Sequence, residues 1–219
     1  MQLRTTTIQF PEISLKTRDA HKLRGYFGNL FKEHSELLHN HYADGSAKYK
    51  YPLVQYKVIN KIPHLVGVEE GGKLLMDLFL KIQNINIQGV DYEINSKNIT
   101  NKITEIGDFT ELNEYKFETL WMGLNQNNHK KYQELKTQED KNTFLNKQIQ
   151  NNILAFYKGV EFYTKDRIMA SSKLIEKTTK FKDKNMLAFS GHFVTNAILP
   201  NLIGIGKSVS RGFGSIQKS

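Results

Sequence analysis

The 219-residue chain contains no cysteine, four prolines and a single tryptophan. Without thiols it forms no disulfide, carries no thiolate nucleophile, and offers no cysteine ligand to zinc or an iron–sulfur cluster. No apolar run reaches the roughly 18–20 residues needed to cross a bilayer. The first residues, Met1-Gln2-Leu3-Arg4-Thr5-Thr6-Thr7, lack the apolar core of a secretion signal, so the expected location is the cytoplasm. Acidic charge is also scarce. Against 31 lysines and arginines stand 22 aspartates and glutamates, a formal net charge of +9. The excess is uneven: residues 1–100 carry 13 basic and 10 acidic groups, residues 101–157 carry 7 and 8, and residues 158–219 carry 11 and 4. A basic surplus at one end of a folded chain favours a polyanionic partner. No lysine-rich amphipathic helix stands out to favour a membrane surface instead.

That basic end holds the most informative segment, Gly204-Ile-Gly206-Lys207-Ser208-Val209-Ser210-Arg211-Gly212-Phe213-Gly214. Glycines take positive φ and let backbone approach a ligand, while Lys207 and Arg211 supply charge for a phosphate. The spacing is wrong for a nucleotide-binding P-loop and for a dinucleotide fingerprint. What is left is a glycine-rich cradle for a phosphate backbone. A flexible tail fits less well, because Ile205, Val209, Phe213 and Ile216 recur through the segment.

Along the chain, alternation and composition predict a strand over 2–10, a helix over 19–33, strands over 49–60 and 64–68, a helix over 73–82 and a strand over 87–94. This order is that of a split β-α-β unit of the ferredoxin type, and two such units would fill the chain. The expected fold is therefore α+β, with tandem ferredoxin-like (RRM-like) domains at 1–96 and 97–219 joined near the polar stretch Asn95–Asn101. In the second half, strands are expected over 99–106, 115–123, 161–168 and 187–193, a long helix over 139–157, and a short helix over 193–202. Residues 124–142 read as a surface loop. Trp121 reads as a core anchor, and His192 as a packing residue.

The candidate chemistry lies in His39-Asn40-His41-Tyr42, followed by Lys48, Tyr49, Lys50 and Tyr51. Two imidazoles close together can divide acid and base roles near neutral pH. In RNA cleavage by internal transesterification, a base removes the ribose 2′-hydroxyl proton and an acid protonates the departing 5′-oxygen. Lysines stabilise charge on the phosphate meanwhile. A solvated or structural histidine pair is the blander reading. No metal is expected, because His39, His41 and at most His64 form no completed ligand set. The letters His-Asn-His match a metal-nuclease motif in name alone, since the ββα context is missing. The run Tyr49-Lys50-Tyr51-Pro52-Leu53-Val54-Gln55-Tyr56-Lys57 interleaves aromatics and cations, and suits either base stacking or a two-faced sheet.

Across these patches the chain resembles the CRISPR repeat-cleaving endoribonucleases that mature guide RNA, in the subtype B branch of the RAMP superfamily. The similarity runs through Leu23–Phe31, His39–His41, Tyr51–Ile59, Val66–Val68, Glu70–Gly72, Trp121–Asn125, Gly191–Pro200 and Ile203–Gly214, in order over nearly the full length. The resemblance implies metal-independent cleavage of CRISPR precursor RNA within repeats, leaving 2′,3′-cyclic phosphate and 5′-hydroxyl ends, with no cofactor. It implies His39 and His41 as catalytic residues, assisted by a tyrosine, here Tyr49 among Tyr42, Tyr49 and Tyr51, and by Lys32 and Lys50, with Lys48 an alternative to Lys50. Gly204, Gly206, Lys207, Ser208, Ser210, Arg211, Gly212 and Gly214, with Arg24 and Lys57, are the expected RNA contacts. The partner implied is repeat RNA. A homodimer and association with a CRISPR effector complex are further expectations. The competing role is that of a noncatalytic guide-RNA-binding subunit of such a complex.

Overall fold

The structure, a computed structural model, describes residues 1–30, 51–181 and 184–219. The chain divides into two compact units. The first comprises Gln2–Thr104 and Ser210–Gly212; the second comprises Met1, Glu105–Val209 and Phe213–Ser219. The division therefore falls after the stretch Asn95–Asn101 that composition marks as a linker. Much of that stretch lies in a strand, because Asn98–Glu105 extends the first sheet.

In the first unit, β1 (Gln2–Gln9), β2 (Val54–Ile59), β3 (Ile62–Val68) and β6 (Asn98–Glu105) form a sheet in the order β2-β3-β1-β6. β2 and β3 are joined at Asn60 and Lys61, both at positive φ, the conformation that a two-residue hairpin requires. Helices α1 (Ala20–Leu30) and α2 (Glu70–Leu78) contribute Leu23, Phe27 and Leu75 to a core shared with Ile8, Phe10, Tyr56 and Leu65. Phe27 stacks between Phe10 and Tyr56, with centroids 6.3 and 6.0 Å away. Full burial of a ring of this size contributes about 1.5–3 kcal/mol. The entry to α1 is held by Asp19, whose carboxylate accepts from the Lys16 amide at 3.1 Å and pairs with Lys22 at 2.6 Å. Burial alone would raise the Asp19 pKa, but these partners hold it below the ordinary aspartate value.

The strand expected over 87–94 is instead two short strands, β4 (Asn84–Ile87) and β5 (Val90–Glu93), paired in a separate hairpin. Gln88 and Gly89 sit at φ +56° and +81°, so the chain turns where the alternation looked continuous. The place beside β1 is taken by β6.

In the second unit, β7 (Gly107–Phe117), β8 (Ala170–Phe181), β9 (Lys184–Ile198) and β10 (Ile216–Lys218) are ordered β10-β7-β9-β8. This is the ferredoxin-like order with antiparallel pairing throughout. Both units are sheet-containing α+β domains of the expected class. Helix α4 (Gln138–Gly159) buries Leu145, Ile149, Ile153 and Phe156 along one stripe, and Thr137 caps it by accepting from the Asp140 amide at 3.0 Å.

Three expectations change here. Residues 193–202 do not form a helix, since β9 continues to Ile198 with Phe193, Thr195 and Ala197 fully buried on one face. Their period is two, and β-branched residues suit the pleat. Residues 161–168 form no strand; Glu161 sits at φ +60°, and the Thr164 hydroxyl accepts from the Asp166 amide in a local turn. The polar stretch 124–142 contains α3 (Gln126–Glu134), capped by Asn125, whose side chain accepts from the Asn128 amide at 2.8 Å.

Candidate nucleic-acid interface

Between β9 and β10, where a second helix would complete the ferredoxin-like pattern, the chain runs through the glycine-rich segment with only a short 3-10 turn at Val209–Arg211. Its two ends are stapled together. The Leu202 amide donates to Ile216 O at 2.7 Å, and that of Ile205 to Gly214 O at 2.9 Å. The Lys207 and Gly214 amides donate to Met122 and Leu120 carbonyls, both at 2.9 Å. Gly206, at φ +98°, leaves room for Trp121; a Cβ there would stand 2.7 Å from Trp121 Nε1. That indole donates to Asn152 Oδ1 at 3.0 Å and stacks on Phe117, so Trp121 is the core anchor its apolar surroundings suggest. Glycine at 206 thus serves close packing of the loop against the core. The Lys207 side chain is exposed, and Ser208 holds the left-handed conformation at φ +56°.

Residues Ser210–Gly212 belong to the first unit, and there they meet α1 and β2. Gly212, at φ +94°, faces Ala20; a Cβ at position 212 would lie 2.5 Å from that methyl group and 3.3 Å from Tyr56 O. Among the described strands β2 is at the edge of its sheet, and the loop lies beside it. The half-buried guanidinium of Arg24, on α1, feels that of Arg211. Burial first, and then the Arg211 charge, lower the Arg24 pKa from its ordinary value. The Tyr56 hydroxyl is buried close enough to interact electrostatically with Arg24 and has no hydrogen-bond partner among the described residues; burial pushes its pKa up, against the opposing effect of Arg24. Two guanidiniums brought together at partly buried positions present the charge and the planar donors that suit a phosphodiester.

Comparison with known proteins identifies the lineage. Residues 1–105 match the Cas6b N-terminal domain and residues 107–219 match the Cas6b C-terminal domain. The chain belongs to the Cas6b family of CRISPR RNA-processing endoribonucleases. A crystal structure of Cas6b aligns over 100% of both chains at 32% identity and a TM-score of 0.95. The crystal structure of CRISPR RNA processing endoribonuclease Cas6b aligns over 100% of both at 30% identity and 0.81. An uncharacterised protein of Methanocaldococcus jannaschii is 31% identical over 141 residues, 64% of this chain and 95% of that protein.

In this Cas6b-family chain, the proposed chemical groups Lys32, His39, His41, Tyr49 and Lys50 lie outside the described residues, as do Tyr42 and Lys48. Arg24 and Arg211 are brought together in the first unit. Gly204, Ser210, Gly212 and Gly214 are buried, and Gly206 and Ser208 are partly exposed. Lys57 departs from the expected RNA contact. It is 0% exposed, and its Nζ has no hydrogen-bond partner among the described residues. A buried ammonium does not reach a phosphate at the surface. β2 is buried at all six positions, so of the two readings of this run the two-faced sheet applies to Val54–Ile59, with Lys57 enclosed in it. Burial lowers its pKa to about 7. Across the ladder stands His64, also buried, its Nδ1 2.8 Å from Ile62 O. Desolvation, and secondarily Lys57, lower the His64 pKa. His192 is half-exposed, 3.7 Å from a Glu114 carboxylate oxygen, rather than packed away. Sequence reading passed over the Tyr56 hydroxyl and the Ala20 methyl. The small residue at 20, set against a glycine nearly two hundred positions away, gives no local signal.

Among the described residues, no group of three or more His, Asp or Glu side chains could hold a metal ion, and no helix is long and apolar enough to cross a membrane.

Proposed function

We propose that the chain cuts CRISPR precursor RNA within its repeats by attack of a ribose 2′-oxygen on the adjacent phosphorus, with no metal ion in the step. One of His39 and His41 takes the 2′-hydroxyl proton and the other gives a proton to the departing 5′-oxygen. The P–O5′ bond breaks as the P–O2′ bond forms, leaving a 2′,3′-cyclic phosphate and a 5′-hydroxyl. Lys32 and Lys50 offset the charge growing on the phosphate, and Tyr49 positions it. Arg24, Arg211, Lys207 and the loop Gly204–Gly214 hold the RNA backbone. A homodimer, delivery of the cut RNA to a CRISPR effector complex and a cytoplasmic location belong to the same proposal.

The observation that carries the RNA-holding part is the gathering of Arg24 and Arg211, from segments far apart in sequence, beside the buried Tyr56 hydroxyl. Replacing either arginine with glutamine should weaken repeat-RNA binding. It should also lower the slope of log affinity against log salt by about 0.7–0.9, one phosphate's worth. Fluorescence anisotropy between 50 and 300 mM salt reads this directly. A slope equal to that of the unaltered protein in both variants makes the two residues structural.

A further inference from the structure

A second feature lies in the C-terminal unit, apart from the glycine-rich segment: a cleft of about 510 Å³ between α3, the start of α4 and the β8–β9 hairpin. At its floor is Tyr132, 2% exposed, its ring set edge-on to Phe189 at 5.7 Å. The Tyr132 hydroxyl donates to Glu176 Oε1 at 2.6 Å. Lys141 Nζ lies 3.8 Å from the same oxygen and 5.2 Å from the Tyr132 ring centroid. Both partners of Glu176 therefore use one oxygen. They fix the carboxylate's orientation and leave Oε2 as an acceptor. The side-chain amides of Gln133 and Asn185 also line the cleft and have no hydrogen-bond partner among the described residues, and Met186 adds an apolar wall.

The segments around the cleft carry both signs, with Lys130, Lys131 and Lys136 beside Glu134, Glu139 and Asp140 on one side, and Lys180 and Lys184 on the other. The lysines can meet phosphates at the rim, whereas inside the cleft Glu176 is balanced by Lys141, with His129 also on the wall, so no net positive charge marks a phosphate site there. The combination suits the uncharged part of a nucleotide whose phosphates stay at the rim. An oriented carboxylate oxygen accepts from an exocyclic amine, and carboxamides recognise the adenine edge by donating to a ring nitrogen while accepting from the amine. Uracil has no such amine, and hypoxanthine carries a carbonyl in its place.

We propose that this cleft holds one unpaired adenine of the bound RNA, its N6 amine donating to Glu176 Oε2 and a ring nitrogen accepting from Asn185 or Gln133. The proposal rests on the RNA-binding reading above and adds a specificity site to it. Glu176 is a binding residue here, and Tyr132 and Lys141 are positioning residues that hold its free oxygen toward the base.

The test uses the whole protein with methyl-labelled methionines, titrated with adenosine, inosine and uridine 5′-monophosphates while the Met186 methyl resonance is followed. Adenosine monophosphate should shift that resonance saturably, with an affinity at least tenfold above the other two. Glu176→Gln keeps an oxygen for the Tyr132 hydroxyl and turns an amide donor toward the base in place of Oε2, so it should remove the preference while leaving thermal unfolding nearly unchanged. A Met186 resonance that ignores adenosine monophosphate at millimolar concentration, or responds equally to inosine monophosphate, overturns the proposal. Repeat RNA bound and cut by the unaltered protein in the same preparation confines that failure to the cleft. Absence of both binding and cutting removes the RNA reading, and the cleft proposal with it.

Discussion

Replacing His39 and His41 together with alanine should reduce repeat-RNA cleavage by at least about a thousandfold while leaving RNA affinity within about tenfold. The size follows from the roles assigned. General acid and general base catalysis each contribute typically about 10²–10⁴ in rate, and neighbouring imidazoles act as a unit, so their losses are not simply multiplied. Binding is nearly spared because affinity for RNA comes mostly from phosphate neutralisation, here assigned to Arg24, Arg211 and Lys207. The single variants separate the two roles. Loss of the base should flatten the acidic limb of the pH–rate profile, and loss of the acid the alkaline limb. Undiminished cleavage in the double variant would remove both histidines from the mechanism. Binding without cleavage in the unaltered protein would favour the role of a noncatalytic guide-RNA carrier.

The second large effect concerns stability. Lys57 is fully buried, without a hydrogen-bond partner among the described residues, and its pKa is depressed from 10.5 to about 7. Between those values the unfolded chain carries a proton on this group and the folded chain does not, so stability rises as pH rises from about 7 toward 10. Below about 7 the proton is present in both states, and the cost of the buried charge is felt in full. The whole shift corresponds to about 5 kcal/mol. Lys57→Met keeps the length of the stem and removes the charge. It should be more stable than the unaltered protein at pH 6, with the gap narrowing by about 3 kcal/mol by pH 9. Denaturant unfolding of both proteins at the two pH values measures it. A gap that stays constant would mean that the ammonium is stabilised in the folded state by a partner.

The first unit was largely legible because β1 has a β-rich composition with loose alternation, and apolar residues recur at helical spacing in α1 and α2. Where legibility failed, a nonlocal cause is identifiable. The Gln88–Gly89 turn interrupts a pattern whose period never changes, so one strand was read where two are paired. β9 carries apolar residues too densely for its period of two to stand out, and the burial of its odd-numbered side chains becomes clear only once β7 and β8 flank it. α3 is polar around almost its whole circumference, with Tyr132 alone buried. It is held by its asparagine cap and by a hydrogen bond from Asn128 to Gln148 of α4 at 2.7 Å.

Legibility of the interface divides in the same way. Charge and glycine content pointed to the segment around Lys207 and Arg211, but not to Arg24 as its neighbour, since that proximity depends on Gly212 lying against Ala20. The error at Lys57 has the opposite origin. The switch of apolar parity from Tyr49, Tyr51 and Leu53 to Val54, Tyr56 and Val58 points to two partly covered faces, but not to full enclosure of the Lys57 stem.

The central claim is that the RNA supplies its own nucleophile. The most direct measurement is cleavage of the cognate repeat RNA in excess chelator, beside an identical RNA with a single 2′-deoxy nucleotide immediately upstream of the cut. The account predicts full cleavage of the all-ribose strand with a 2′,3′-cyclic phosphate end, and an intact deoxy strand that still binds. Cleavage of the deoxy strand at the same bond, or loss of all activity in chelator, would contradict it.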